Sequence, residues 1–154
     1  MSSTYTVTKV YESAKPSAKT VVLWVSRHMP LPAQIMELER KLNSIVVYQM
    51  KGTVPNAEVV VEVAKQLNAS IVIPVLPLSM IARLAELSKQ NGFTVLIAKM
   101  NSIATTKSAE EAVRLVQEAP ERRTMATYAD GTMRVYEFER FEKLVEVKLV
   151  TEPL

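Results

Sequence analysis

Four continuous apolar runs, each followed by a stretch with helical spacing, constrain this chain more than any other feature. They are "TVVLWVS" (Thr20–Ser26), "SIVVYQ" (Ser44–Gln49), "SIVIPV" (Ser70–Val75) and "FTVLIAKM" (Phe93–Met100). A β-branched run without polar alternation has to be covered on both faces, which is the condition of parallel strands joined by crossover helices. The intervening segments supply those helices. Leu31, Ile35, Leu38 and Leu42 recur at helical intervals behind Pro32, a residue suited to a first turn. Asn56 is positioned as the N-cap of a helix whose apolar face is Val60, Val63, Ala64 and Leu67. Met80, Leu84 and Leu87 mark a third helix that Asn91-Gly92 ends, and Ser108 with Glu111 opens a fourth in a capping-box pattern, closed by Pro120. With right-handed crossovers, residues 20–119 read as the core of an α/β fold: an open, doubly wound, mostly parallel sheet.

The flanks differ from that core. "RRTMATYADGTMRVYEF" holds two β-rich runs around Asp130-Gly131, a strong hairpin signal, and "KLVEVKLVTE" follows with mixed apolar and charged residues. Residues 122–152 are therefore expected to form an antiparallel β extension that widens the sheet or meets a second subunit. "TYTVTKVY" can add a further strand at the start, with "ESAKPSAK" as a linker. At 154 residues the chain has the length of one ordinary domain, taken as 1–154.

Composition removes several classes of chemistry. No cysteine is present, so disulfides, thiol nucleophiles and cysteine–zinc sites are excluded. The three glycines, Gly52, Gly92 and Gly131, cannot build a Walker loop or a GxGxxG turn. Asp130 is the single aspartate among sixteen acidic residues, which argues against magnesium-dependent phosphoryl transfer. With one histidine, His28, and no cysteine, neither a metal nor another cofactor is expected. The net charge of +3 is spread along the chain, so long nucleic acid is not indicated as a partner. Neither a bilayer-spanning apolar segment nor the apolar block of a secretory signal is seen, and the expected location is cytoplasmic.

In a parallel open sheet, ligands sit beyond the carboxyl ends of the strands, where strand order reverses. Those ends carry Ser26-Arg27-His28, Lys51, Pro77-Leu78-Ser79 and Asn101. Arg27, Lys51 and the amides of the first helical turns favour a small anion such as a phosphate or nucleotide. Ser26, Ser79 and Asn101 add neutral hydrogen-bonding groups. Each has a plainer reading. His28 can hydrogen-bond where the strand leaves the core, Arg27 and Lys51 can be solvated surface charges, and Ser79 suits a first helical turn better than a nucleophile with no partnered base. Trp24 is expected to pack in mid-strand, and the eight methionines to fill gaps in the core.

The segments "SRHMPLPAQIMELERKL" and "VIPVLPLSMIARLAELSKQNGFTVLIAKM" resemble small Rossmann-like proteins of CRISPR accessory loci and of archaeal and bacterial viruses and plasmids. The positions that carry the resemblance are Ser26, His28, Pro30, Gln34, Pro77, Ser79 and Gly92. It spans Val21 to Met100 and extends to the closing "FERFEKLVEVKLVTEPL"; Arg27 and the longer C-terminal region depart from the family pattern. The resemblance implies a CARF-like homodimer that binds cyclic oligoadenylate. The leading expectation is thus a non-enzymatic binder of a nucleotide-like anion. Two rivals stand beside it: a metal-independent ring nuclease with His28 as its general acid or base, and a structural or interaction protein of a virus or plasmid whose C-terminal extension forms the interface.

Overall fold

The computed structural model describes residues 4–154. Along the chain run β1 (Tyr5–Glu12), β2 (Thr20–Val25), α1 (Pro32–Leu42), β3 (Ile45–Gly52), α2 (Ala57–Leu67), β4 (Ile71–Pro74), α3 (Leu78–Asn91), β5 (Thr94–Thr106), α4 (Ala109–Glu118), β6 (Arg123–Thr127) and β7 (Met133–Lys143). The strands hydrogen-bond in the order β1-β3-β2-β4-β5-β7-β6. The fold is mixed α/β, with parallel pairing in its middle and antiparallel pairing at both ends. The chain gathers into two compact units. One comprises the chain up to Met29, Leu42–Ile97 and Glu142–Leu154; the other comprises Pro30–Lys41 and Ala98–Phe141.

The first unit is built on β2. It pairs in parallel with β3 on one side, Val21 opposite Val46, and with β4 on the other, Leu23 opposite Val72. Val22, Leu23, Trp24 and Val25 are buried in succession, as a two-sided apolar strand requires. Its core joins Leu23, Met50 and Val72 of the strands to Val60, Val63 and Ala64 of α2 and to Leu84 of α3. The valines of α2 have low intrinsic helix propensity, so this burial, with the Asn56 cap, stabilises the helix. The Asn56 side chain accepts from the Val59 amide at 3.0 Å. Gly92 stops α3 in the left-handed region, φ 71°. The N-terminal segment does form a strand: β1 runs antiparallel to β3, with a bulge between Lys9 and Tyr11. Such a bulge and exposed charges make an edge strand a poorer template for further pairing.

In the second unit, α1 opens with a reciprocal cap. Gln34 is buried, and its carboxamide oxygen accepts from the Leu31 amide at 2.7 Å while the Gln34 amide donates to the Leu31 carbonyl. This is the reach-back half of a capping box, made by glutamine. The Ser108 hydroxyl caps α4 by accepting from the Glu111 amide, but the Glu111 carboxylate takes the Thr106 hydroxyl instead of completing the box. Ala112 packs on Met133 and Val135 to form this unit's small core. Arg123 ties β6 to its neighbours through Glu137 at 3.1 Å, Glu118 at 3.3 Å and the Leu115 carbonyl at 2.8 Å. The adjacent basic pair of the sequence is thus used structurally, since Arg122 also donates to the Phe138 carbonyl at 2.9 Å.

Two differences from the sequence reading stand out. β5 continues to Thr106 instead of ending near Met100, because Ile103, Thr105 and Thr106 keep the β-branched character of the run. Regular structure in the C-terminal extension ends at Lys143, and residues 144–154 belong to no helix or strand.

The β6–β7 turn carries a pH prediction. The Asp130 carboxylate accepts from the Thr132 amide at 2.9 Å and from the Thr132 hydroxyl, and these bonds hold its pKa below the usual carboxylate value. A carboxylate with a depressed folded pKa contributes stability that is present above its unfolded pKa and is lost as pH falls through the folded value. Carboxyl-carbon NMR titration should therefore place the Asp130 midpoint below that of an unstructured peptide containing the same turn. Acidification through that midpoint should loosen the hairpin, and Asp130→Asn should abolish the pH-dependent part.

Candidate functional site

The carboxyl end of β2 is fixed by three hydrogen bonds. Beyond Val25 the chain turns through Ser26-Arg27-His28, and the Ser26 hydroxyl accepts from the His28 amide at 3.1 Å. The Gln49 carboxamide, buried on β3, donates to the Ser26 carbonyl at 3.0 Å. The indole N–H of Trp24 donates to the His28 carbonyl at 2.8 Å. A single amide within "SIVVYQ" has to find a partner once it is buried, and this one finds the β2 turn. The result is a turn whose backbone is held from beneath while the Arg27 and His28 side chains are exposed.

These residues line a cavity of about 380 Å³ at the carboxyl ends of β2, β3 and β4. Val25, Ser26, Arg27 and His28 come from β2 and its turn. Met50, Gly52, Thr53 and Val54 come from β3 and the loop after it; Val75, Leu76, Pro77 and Met80 come from the segment after β4 and the first turn of α3. β3 and β4 flank β2 on opposite sides, so the cavity lies where the chain leaves three adjacent parallel strands. No carboxylate lines it, and Arg27 has no ion pair among the described residues. Pro77 occupies the N-cap of α3 without a side-chain hydrogen bond, so among the described residues no side chain caps that end, and the Met80 amide turns back to the Pro77 carbonyl at 3.0 Å. In α2 the corresponding end is closed by Asn56. The lining is otherwise apolar, with the His28 imidazole and the hydroxyls of Ser26 and Thr53 as further polar groups. Such a surface can accommodate a flat or aliphatic body with one anionic group at the Arg27 side.

Of the residues named from sequence, the structure brings Ser26, Arg27, His28 and Pro77 together at this cavity. Lys51, Ser79 and Asn101 are not among its lining residues. Lys51 alternates with Met50, and the strand pleat sends successive side chains to opposite faces. Ser79 is exposed in the first turn of α3, between lining residues Pro77 and Met80. Asn101 lies in the middle of β5 and belongs to the second unit, because β5 does not end at Met100. Gln34, one of the resemblance positions, is a buried cap of α1 in that unit. From sequence, Gln49 and Gly52 stand only as neighbours of Lys51 at a strand end and Met80 only as an apolar helix position, and Thr53 is not singled out. The isolated amide within an apolar strand run was the signal for Gln49, and a glycine closing a strand was the signal for Gly52.

Among the described residues no cluster of histidine and carboxylate side chains could hold a metal ion, and no helix is long and apolar enough to cross a membrane. Comparison of the chain with family models, with curated proteins and with solved structures gives no match.

Proposed function

We propose that the first unit is a doubly wound, Rossmann-like binding unit and that the cavity at the ends of β2, β3 and β4 holds a nucleotide-like anion without turning it over. The observation that carries this reading is Arg27: among the described residues, an exposed guanidinium without an ion-pair partner, on a turn locked by Gln49 and Trp24, facing a cavity lined by no carboxylate. A guanidinium so placed matches the fork geometry of a phosphate. The start of α3, which has no side-chain cap, adds the positive end of a helix dipole. The apolar lining from Met50, Val54, Leu76 and Met80 suits a base or sugar face. The resemblance in sequence points to cyclic oligoadenylate as the anion, in the cytoplasm and in a CRISPR or mobile-element setting.

Calorimetry with cyclic tetra-adenylate, adenosine monophosphate and inorganic phosphate tests the reading. Heat is expected with a nucleotide ligand, and Arg27→Glu should weaken it by about tenfold or more, the worth of a lost charge-assisted hydrogen bond. The melting temperature should be unchanged, because Arg27 is exposed and has no ion-pair partner among the described residues. A folded protein that gives no heat at high micromolar ligand defeats the proposal. Because His28 also lines the cavity, cleavage is the second reading. Products formed from labelled cyclic tetra-adenylate in EDTA, and lost in His28→Ala, would replace binding by metal-independent hydrolysis.

A further inference from the structure

The segment Leu144–Val150, "LVEVKLV", has a symmetry that neither the fold nor the cavity uses. Read outward from Val147, it places Glu146 against Lys148, Val145 against Leu149 and Leu144 against Val150. It is preceded by β7 and anchored where the Leu144 amide donates to the Val95 carbonyl at 2.9 Å and Leu144 packs against the core of the first unit, and Val147 is half-buried. Beyond that anchor the chain enters no strand, although valine and leucine dominate it. Val145 is 65% exposed, Leu149 91% and Val150 94%. Its only ion pair among the described residues is a 3.9 Å contact between Lys148 and Glu146, both well exposed.

We propose that Leu144–Val150 is a self-complementary dimerisation strand, which pairs antiparallel with the same segment of a second copy about a two-fold axis through Val147. The occupant follows from charge. In that register Glu146 faces the partner's Lys148, and Lys148 faces the partner's Glu146, giving two opposite-charge pairs per dimer. A parallel in-register pairing sets glutamate against glutamate and lysine against lysine. An antiparallel slip of two residues centres a like-charge pair on Glu146 or on Lys148. The palindrome therefore selects one orientation and one register, as specified pairing requires. Val145, Val147 and Leu149 of each copy then share one face of the two-stranded ribbon, where their side chains shield one another from water. The Leu144 amide is already engaged by Val95, which leaves the backbone groups of Val145, Val147 and Leu149 for the partner in an extended strand. Glu142 would meet the partner's Glu152, and this like-charge contact bounds the pairing. An interface of this length belongs to the small, weakly associating class.

The inference is independent of what occupies the cavity and is tested on the full chain by sedimentation velocity over a concentration series. The wild-type protein should show a concentration-dependent monomer–dimer equilibrium. E146K alone and K148E alone should each weaken self-association by about ten- to a hundredfold, since two cross-strand pairs turn from attractive to repulsive. An equimolar mixture of the two variants should associate again, because each supplies the charge that the other lacks. The double variant E146K/K148E should recover the wild-type behaviour. Both positions are solvated, so circular dichroism and melting temperature should not move. A wild-type chain that stays monomeric at every concentration overturns the proposal. So does a dimer indifferent to E146K, or a variant mixture that fails to associate.

Discussion

Replacing Gly52 with alanine is expected to destabilise the first unit by about 3–5 kcal/mol, the sum of a strained backbone and a backbone clash. Gly52 ends β3 at φ +120°, a conformation that side-chain-bearing residues rarely adopt. A Cβ there would lie 2.9 Å from the Tyr5 Cα and inside van der Waals contact of the Thr4 carbonyl oxygen. That oxygen cannot retreat freely, because it accepts the Thr53 amide at 3.0 Å while the Thr4 hydroxyl donates to the Thr53 carbonyl at 3.0 Å. The substitution therefore pushes the start of β1 away from β3 and shifts Thr53 and Val54 in the cavity wall. Urea denaturation reads the stability change, and nucleotide calorimetry reads the site. Gly92→Ala supplies the contrast. Its φ is +71° but nothing lies within 4 Å of the added Cβ, so its cost is expected to stay near 1 kcal/mol. Equal effects at the two glycines would refute the close-approach account of Gly52.

Trp24 should separate packing from turn geometry when it is shortened in two steps. Trp24→Ala removes a large side chain that is 3% exposed, and a loss of about 3–5 kcal/mol is expected from the cavity it leaves. Trp24→Phe keeps most of the apolar volume but deletes the donor to the His28 carbonyl. Its expected cost is about 1–2 kcal/mol, the range for one lost hydrogen bond together with the carbonyl left behind. The functional readout should run against that ranking. A phenylalanine variant that is folded at assay temperature should still bind nucleotide more weakly than wild type, because the turn that carries Arg27 has lost one of its three ties. Unchanged affinity in Trp24→Phe would show that the indole bond does not position the turn.

The sequence reading located the elements better than it located the ends of strands. The helix starts at Pro32, Asn56 and Ser108 and the stop at Gly92 follow from local chemistry, and each falls where that chemistry places it. The Asp130-Gly131 turn between β6 and β7 is likewise local. Asn101 shows the opposite case. Polar residues after Met100 suggested the end of a strand, yet a strand can continue through polar positions when β-branched residues keep to its register. Lys51 fails for a related reason. Position at a strand end does not fix which face a side chain takes, and the pleat gives that face to Met50.

What the amino-acid order determined by itself was the alternation of buried strands with capped helices, because periodicity and caps act over a few residues and need no distant partner. It also determined which chemistries lack their residues, with neither cysteine nor a glycine-rich loop to supply them. Tertiary structure alone decided that β3 and β4 flank β2 on opposite sides, that Gln49 reaches the Ser26 carbonyl, and that Gly52 meets the start of β1. These are contacts between residues far apart in sequence, formed only once hydrophobic burial has chosen a strand order. The cavity beside Arg27 is a product of that order.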